Sequence, residues 1–283
     1  MNISVVIPAK NEAAAIGVTI KKIKQYVVGS EIIVVNDGST DDTAQVAVIA
    51  GAKVIFHRYS MGNGAAIKAG ARHASGEIIV FMDGDGQHDA ADISRLLARI
   101  EEGYDMVVGA RQAGSQAGIG RGIANNIYNR LASYMTGHKV EDLTSGFRAV
   151  KAKQFREFLY LLPNGFSYPT TSTMAFFRAG YPVAYEPIVA SPRIGKSHIK
   201  LFKDGARFLL IIFKVGTLYS PLKLFAPVAS LLFVLATAWY ARTYFTLGRF
   251  TNMSTLLYTG SVVVFLMGLI SEQITALMYK RSE

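Results

Sequence analysis

The chain has 283 residues, carries a net charge of +10, and is 51% hydrophobic. That length suits one large α/β domain plus an appendage, and the positive mean hydropathy is high for a purely water-soluble protein. The absence of cysteine excludes disulfides and thiolate metal sites, and the five histidines show no zinc-ligand spacing.

In chain order, strand and helix patterns alternate. Residues 3–7 read as a strand and 12–27 as a helix; 31–36 is the next strand, with Thr40 or Asp41 capping a helix that runs to about 50. A strand over 52–57 precedes a helix over 62–74, punctuated by Gly62, Gly64 and Gly70, which read as close-packing glycines with access to a ligand. The apolar run 77–82 reads as a buried strand, followed by a helix over 90–101 and a strand over 105–109. This alternation predicts a mainly parallel sheet covered on both faces. Ligands of such folds bind at the carboxyl ends of the strands, where residues 8–12, 36–39, 83–87 and 109–111 lie.

The densest chemistry is at Asp83-Gly84-Asp85-Gly86-Gln87-His88. Carboxylates one residue apart at a strand end can converge on one cation, and hard cations are typically held by one or two carboxylates plus substrate phosphates. A solvated Asp-Gly turn is the plain alternative. No G-x-x-x-x-G-K-[ST] is present, and no G-x-G-x-x-G follows the first strand, which argues against a P-loop or a dinucleotide fingerprint.

Charge is distributed unevenly. Residues 1–192 carry 19 basic and 17 acidic side chains, whereas 193–283 carry 11 basic and 3 acidic. The basic residues flank long apolar runs, which points to an anionic membrane surface and away from nucleic acid. Lys200, Lys203, Arg207 and Lys214 share one helical face opposite Phe202, Leu209 and Phe213, the pattern of an interfacial helix. Residues 224–241 contain no charge for 18 positions, and 255–279 form a second candidate span that contains Glu272 and Gln273. Glu272 is expected to reach the interface or to face the other span. A short connection makes the pair a hairpin, and the basic load places both of its ends, and the front domain, on the cytoplasmic side. The chain opens directly on a strand, with no signal-peptide pattern.

Four segments together, Ser4-Val5-Val6-Ile7-Pro8-Ala9-Lys10-Asn11-Glu12, Val34-Val35-Asn36-Asp37-Gly38-Ser39, Gly62-Asn63-Gly64-Ala65 and Met82-Asp83-Gly84-Asp85-Gly86-Gln87-His88, resemble a GT-A glycosyltransferase of family 2. Thr144-Ser145-Gly146-Phe147-Arg148, Arg193-Ile194-Gly195-Lys196-Ser197 and the two terminal spans narrow the resemblance to the polyprenyl-phosphate glycosyltransferases, the group of dolichol-phosphate mannose synthase. It implies a catalytic GT-A domain over 1–198, interfacial helices over 199–220 and a two-span hairpin over 221–283. It also implies transfer of a hexose, with inversion, from a UDP- or GDP-sugar to a polyprenyl phosphate at the cytoplasmic face of the membrane. By matching position, Pro8, Ala9, Glu12 and Asp37 would bind the nucleoside, and Asp83 would lie near the ribose and diphosphate. Asp85 and Gln87, with Asp83, would hold Mg²⁺ or Mn²⁺. Arg111, Arg121, Arg193 and Lys196 would face donor or acceptor phosphate, and Asn125 the acceptor phosphate. Asp142 would serve as a base or as an orienting carboxylate, the plain alternative being a loop cap or a partner of Arg148. Asn36 and His198 depart from the common family residues. The implied partners are the nucleotide sugar, the lipid phosphate and membrane lipid, with room for a homo-oligomer and none for nucleic acid. The rivals are a processive polysaccharide synthase, a non-catalytic membrane scaffold and a soluble nucleotidyltransferase.

Overall fold

The computed structural model describes residues 1–112, 119–165, 168–189 and 216–280. The chain forms two compact units, Met1–Lys200 and Leu201–Glu283. The expected interfacial helices over 199–220, except for their last turn, lie outside the described residues.

The first unit is built on a seven-stranded sheet of order β3-β2-β1-β4-β6-β5-β7. Strands β1 (Ile3–Ala9), β2 (Glu31–Asp37), β3 (Lys53–His57) and β4 (Ile78–Phe81) are mutually parallel. Strand β6 (Arg148–Lys151) runs antiparallel between β4 and β5 (Met106–Arg111), and β7 (Val183–Ile188) pairs parallel with β5 at the edge. The reversal at β6 has a functional consequence. Because β6 starts where its neighbours end, the 142–147 loop arrives at the same rim as the ends of β1, β2, β4 and β5.

Helices cover both faces, which is why β1, β2 and β4 read as nearly unbroken apolar runs. On one face, Ile16, Ile20 and Ile23 of α1 (Ala13–Tyr26) and Ile93, Leu96 and Ile100 of α4 (Asp92–Glu101) pack on Val5, Ile7, Val34 and Val80. Ala47 of α2 (Thr43–Ile49) joins the same cluster. On the other face lie α3 (Asn63–His73), α6 (Ala152–Glu157) and α7 (Tyr168–Arg178). Gly70 of α3 lets that helix close on Val6 and Val35, and Phe81 meets Phe155 and Tyr168, with ring centroids 4.7 and 6.1 Å away. Helix α5 (Ile119–Thr136) follows β5.

The second unit contains two long helices, α8 (Pro221–Leu247) and α9 (Asn252–Lys280), joined by a short turn that Gly248 opens with φ 63°. Pro221 occupies the first turn, where its missing N–H costs nothing. At 1.5 Å per residue the helices are about 40 Å long, more than the roughly 30 Å hydrocarbon core of a bilayer. Small and polar side chains line the contact between them. Ser261 Oγ donates to the Ala229 carbonyl at 2.9 Å, and Gly268 admits Phe225 so closely that a methyl there would stand 2.8 Å from its Cβ. Of the alternatives for Glu272, the structure realises the contact with the other helix: its carboxylate accepts the Leu222 N–H at 3.2 Å, capping the start of α8.

Candidate active site

Three loops tie the strand ends into one rim. Asn11, in the left-handed region at φ 57°, accepts the Thr40 N–H at 2.8 Å through Oδ1, and the Glu12 N–H donates to Thr43 Oγ1 at 2.8 Å. Asp41 Oδ2 accepts the Ala13 N–H at 3.2 Å. Pro8, Ala9 and Glu12, the expected nucleoside contacts from β1, are thereby held beside the 36–43 loop.

Asp37 lies at the end of β2 and is 5% exposed. Its Oδ1 accepts from His57 Nδ1 at 2.7 Å and the Met61 N–H at 2.8 Å; its Oδ2 accepts from Ser60 Oγ at 2.8 Å and the Gly62 N–H at 2.9 Å. These four bonds use the carboxylate's ordinary acceptor capacity. Burial pushes its pKa up, and the bonds from His57, Met61, Ser60 and Gly62 more than reverse this, holding it below the usual carboxylate value. Asp37 therefore shapes the 57–62 loop, and a ligand would have to displace one of these donors to reach its oxygens. Gly38 is obligatory here: at φ 65°, a side chain would begin 2.6 Å from the Ser60 nitrogen.

The acidic cluster follows β4 directly. Asp85 is 8% exposed and accepts the Gln87 N–H at 3.2 Å through Oδ1. Asp83 is more open, with 36% of its side chain accessible and the His88 Nε2 at 3.7 Å. The His88 ring stacks on Phe147, centroids 5.0 Å apart. Gly146 walls Asp83 from the other side; a methyl there would stand 3.1 Å from Asp83 Oδ2. Tyr168 Oη fixes this wall by donating to the Gly146 carbonyl at 2.9 Å. Among the described residues, no three His, Asp or Glu side chains form a self-contained cation cage. Two carboxylates and a carboxamide instead suit a Mg²⁺ or Mn²⁺ whose remaining ligands come from a diphosphate.

Arg111 and Asp142 form the third part of the rim. Arg111 Nε donates to Asp142 Oδ2 at 2.8 Å and its NH2 to Oδ1 at 3.0 Å, while the Thr144 and Ser145 N–H groups bond Oδ1 at 3.1 Å each. Burial raises the Asp142 pKa, but the bonds and charge of Arg111, with the backbone donors, bring it below the ordinary value. Burial likewise opposes the charge of Arg111, and Asp142 and Asp83 outweigh it. Asp142 is thus a saturated, firmly ionised carboxylate that caps its loop and aims Arg111. It does not pair Arg148, which the sequence had offered as an alternative. Arg148 points into the core on the far side of its strand.

Arg121 and Asn125 belong to α5 by backbone position; Arg193 and Lys196 lie outside the described residues. Gly62 and Gly64 are close-packing glycines, as the sequence predicts: a methyl would stand 2.6 Å from the Asn164 carbonyl oxygen at the first and closer still to the Pro163 carbonyl oxygen at the second. The Gly64 and Ala65 N–H groups donate to the carbonyls of Gly165 and Asn164 at 3.2 and 2.9 Å, so the start of α3 is sealed by another loop. Sequence reasoning missed His57, Ser60, Gly146 and Tyr168 as supports of the two acidic groups. Of these, only Gly146 carried a signal, through its motif.

The sequence matches the profile of glycosyl transferase family 2 over residues 4–159 and that of the GtrB C-terminal hairpin over residues 220–277. A glycosyltransferase of Haloferax volcanii, AglJ, is 29% identical over 233 residues, which make up 80% of this chain and 76% of that protein. The dolichyl-phosphate hexose transferase of the same organism is 31% identical over 216 residues, 76% of this chain and 93% of that protein. Among solved structures, glucosyl-3-phosphoglycerate synthase from Mycobacterium tuberculosis, crystallised with Mn²⁺, UDP and glucosyl-3-phosphoglycerate, superposes with a TM-score of 0.61 at 26% identity. That match covers 76% of this chain and 78% of the synthase.

Proposed function

The chain belongs to glycosyl transferase family 2, and from that premise we propose that it transfers a hexose from a UDP- or GDP-sugar to a polyprenyl phosphate, with inversion, at the cytoplasmic face of a membrane. The observation that carries this reading is the pairing, in one chain, of the Asp83–Asp85 rim with two helices long and apolar enough to cross a bilayer. A donor diphosphate calls for the first, and an acceptor that cannot leave the membrane calls for the second. The name of the Haloferax hexose transferase and the Mn²⁺ and UDP of the mycobacterial synthase support the same assignment.

Asp85 and Gln87, with Asp83, would hold the metal and diphosphate; a bound Mg²⁺ or Mn²⁺ would neutralise charge growing on the leaving nucleoside diphosphate. Pro8, Ala9 and Glu12 line the nucleoside pocket, with Asp37 fixing the loop that closes it. The acceptor phosphate is already ionised at neutral pH, so its oxygen attacks the anomeric carbon without a strong base as the bond to the diphosphate breaks. This leaves Asp142 as the carboxylate that aims Arg111, whose forked donors match phosphate oxygens. Arg121, Asn125, Arg193 and Lys196 complete the phosphate contacts. Catalysis then rests on positioning and charge, with Asp85 and Arg193 assigned as the catalytic groups. The chain divides into a catalytic domain over 1–198, membrane-surface helices over 199–220 and the hairpin over 221–283. The excess of basic residues in 193–283 supports the cytoplasmic placement.

The test is transfer by full-length protein in detergent–lipid micelles. A panel of labelled UDP- and GDP-hexoses is offered with polyprenyl phosphate, with and without chelator. Label entering the organic phase from one donor, and lost on chelation, is the expected result. Transfer unaffected by Asp85→Ala would remove the metal role from this cluster.

A further inference from the structure

Among the described residues, Arg148 is the largest side chain with no exposed surface. All its described hydrogen bonds go to neutral acceptors. NH1 reaches the Pro169 carbonyl at 3.0 Å, Ser172 Oγ at 2.9 Å and Thr173 Oγ1 at 3.1 Å, and NH2 reaches the Ser145 carbonyl. Its face lies over the Tyr168 ring at 5.7 Å, its Nε is buried without a partner, and no carboxylate pairs with it among the described residues. A guanidinium taken out of water without a counter-ion is costly, and an apolar side chain of similar volume is often tolerated or preferred at such a place. Packing alone therefore gives a poor account of an arginine here.

The surroundings supply a reason. Burial pushes the Arg148 pKa down, and Tyr168, Tyr185, Asp142 and Asp83 push it up. The link to the rim is Ser145, whose carbonyl accepts from Arg148 and whose N–H donates to Asp142 Oδ1 at 3.1 Å. Its bonds also fix the Ser145 carbonyl and the first turn of α7, from which Tyr168 holds the Gly146 wall against Asp83. Low dielectric between a buried charge and a site lengthens its reach. We propose that Arg148 is a positioning residue for the donor: its buried positive charge offsets the carboxylates of the rim and supports the incoming diphosphate without touching it. This rests on the donor reading above.

The test measures binding of Mn²⁺ with UDP or GDP to the full-length protein by calorimetry, alongside thermal unfolding. Arg148→Met should fold and lose affinity at least about tenfold, the size expected of one charge acting across a low-dielectric interior. Arg148→Lys, which keeps the charge without the fork, should stay within about threefold of the parent. Ser172→Ala keeps the charge and removes one acceptor, so it should lower the unfolding temperature and leave affinity unchanged. Equal losses in the Lys and Met variants, or a loss in Ser172→Ala matching that of Arg148→Met, would overturn the proposal. If Arg148→Met does not fold, Lys against Ser172→Ala still decides, because loss of affinity in either folded variant contradicts a charge-based role. Failure of the parent to bind either nucleotide would instead count against the donor reading.

Discussion

The two units of the chain are inside-out relative to each other. In the catalytic unit the sheet core is apolar, with Val5, Ile7, Val34 and Phe81 at 0% exposure, and the polar groups collect at the strand ends. In the hairpin Leu231, Val234, Leu266 and Ile270 are 60%, 61%, 49% and 61% exposed, while Ser254, Ser261 and Thr275 are buried at 0%, 5% and 3%. Two units facing different solvents, water for the first and lipid for the second, would obey such opposite burial rules. Water drives apolar groups inward, whereas in lipid the helices gain from close packing of small residues and from hydrogen bonds between them.

The largest effect should come from breaking the rim. Asp142→Ala leaves Arg111 without its counter-ion, and the Arg111, Thr144 and Ser145 N–H groups and the Thr144 hydroxyl without this acceptor, at a cost of about 3–5 kcal/mol in the catalytic unit. Thermal unfolding of the full chain reads this as an early transition of that unit with the hairpin's helicity retained. The same carboxylate sets a pH dependence, together with Asp37. Their folded pKa values lie below the ordinary 3.8. The stability they contribute is therefore full above that value and is lost as pH falls through the depressed ones. Unfolding temperature should be insensitive to these groups from neutral pH down to about 4 and should fall below it.

One substitution made in both units tests the inside-out contrast itself. Leu231→Arg, on the exposed face of α8, should oppose membrane insertion by about 2.5–3.5 kcal/mol. Ile49→Arg, on a site of α2 that is 77% exposed, should change stability by no more than about 0.5 kcal/mol. Carbonate extraction and unfolding temperature check the pair; equal tolerance at both sites would mean that the hairpin's apolar face is covered by protein. Gly64→Ala forces a methyl onto the Pro163 carbonyl oxygen, and overpacking of that kind costs about 1–3 kcal/mol. Within the hairpin the smaller effect is expected from Ser261→Ala, which removes one interhelical bond to Ala229 worth about 0.6 kcal/mol on average. Helix-pair crosslinking yield should fall only slightly.

The parallel half of the sheet was legible because its strands are continuous apolar runs separated by amphipathic helices. Strands β6 and β7 were not. β6 has four residues and begins with an arginine, which reads as surface although it is fully buried. β7 contains Pro187, a residue that argues against a strand unless the strand lies at an edge, as this one does. The acidic cluster at 83–88 was visible because adjacent carboxylates and glycines after an apolar run form a local pattern. What supports it was not, because His57, Gly146 and Tyr168 reach Asp37 and Asp83 across long chain separations. The hairpin was read from composition alone, but the partner of Glu272 is a backbone N–H, which no side-chain pattern encodes.

The central claim is that the rim and the hairpin serve one reaction whose acceptor is a lipid. The most direct test offers the full-length protein in nanodiscs a labelled nucleotide hexose, Mn²⁺, and two competing acceptors, polyprenyl phosphate in the bilayer and 3-phosphoglycerate in the water. The account predicts that label partitions into the organic phase as a polyprenyl-phosphate sugar and that Asp85→Ala lowers its rate by about 10²–10³-fold. Label accumulating in the aqueous phase on phosphoglycerate, with the lipid left unglycosylated, would contradict it.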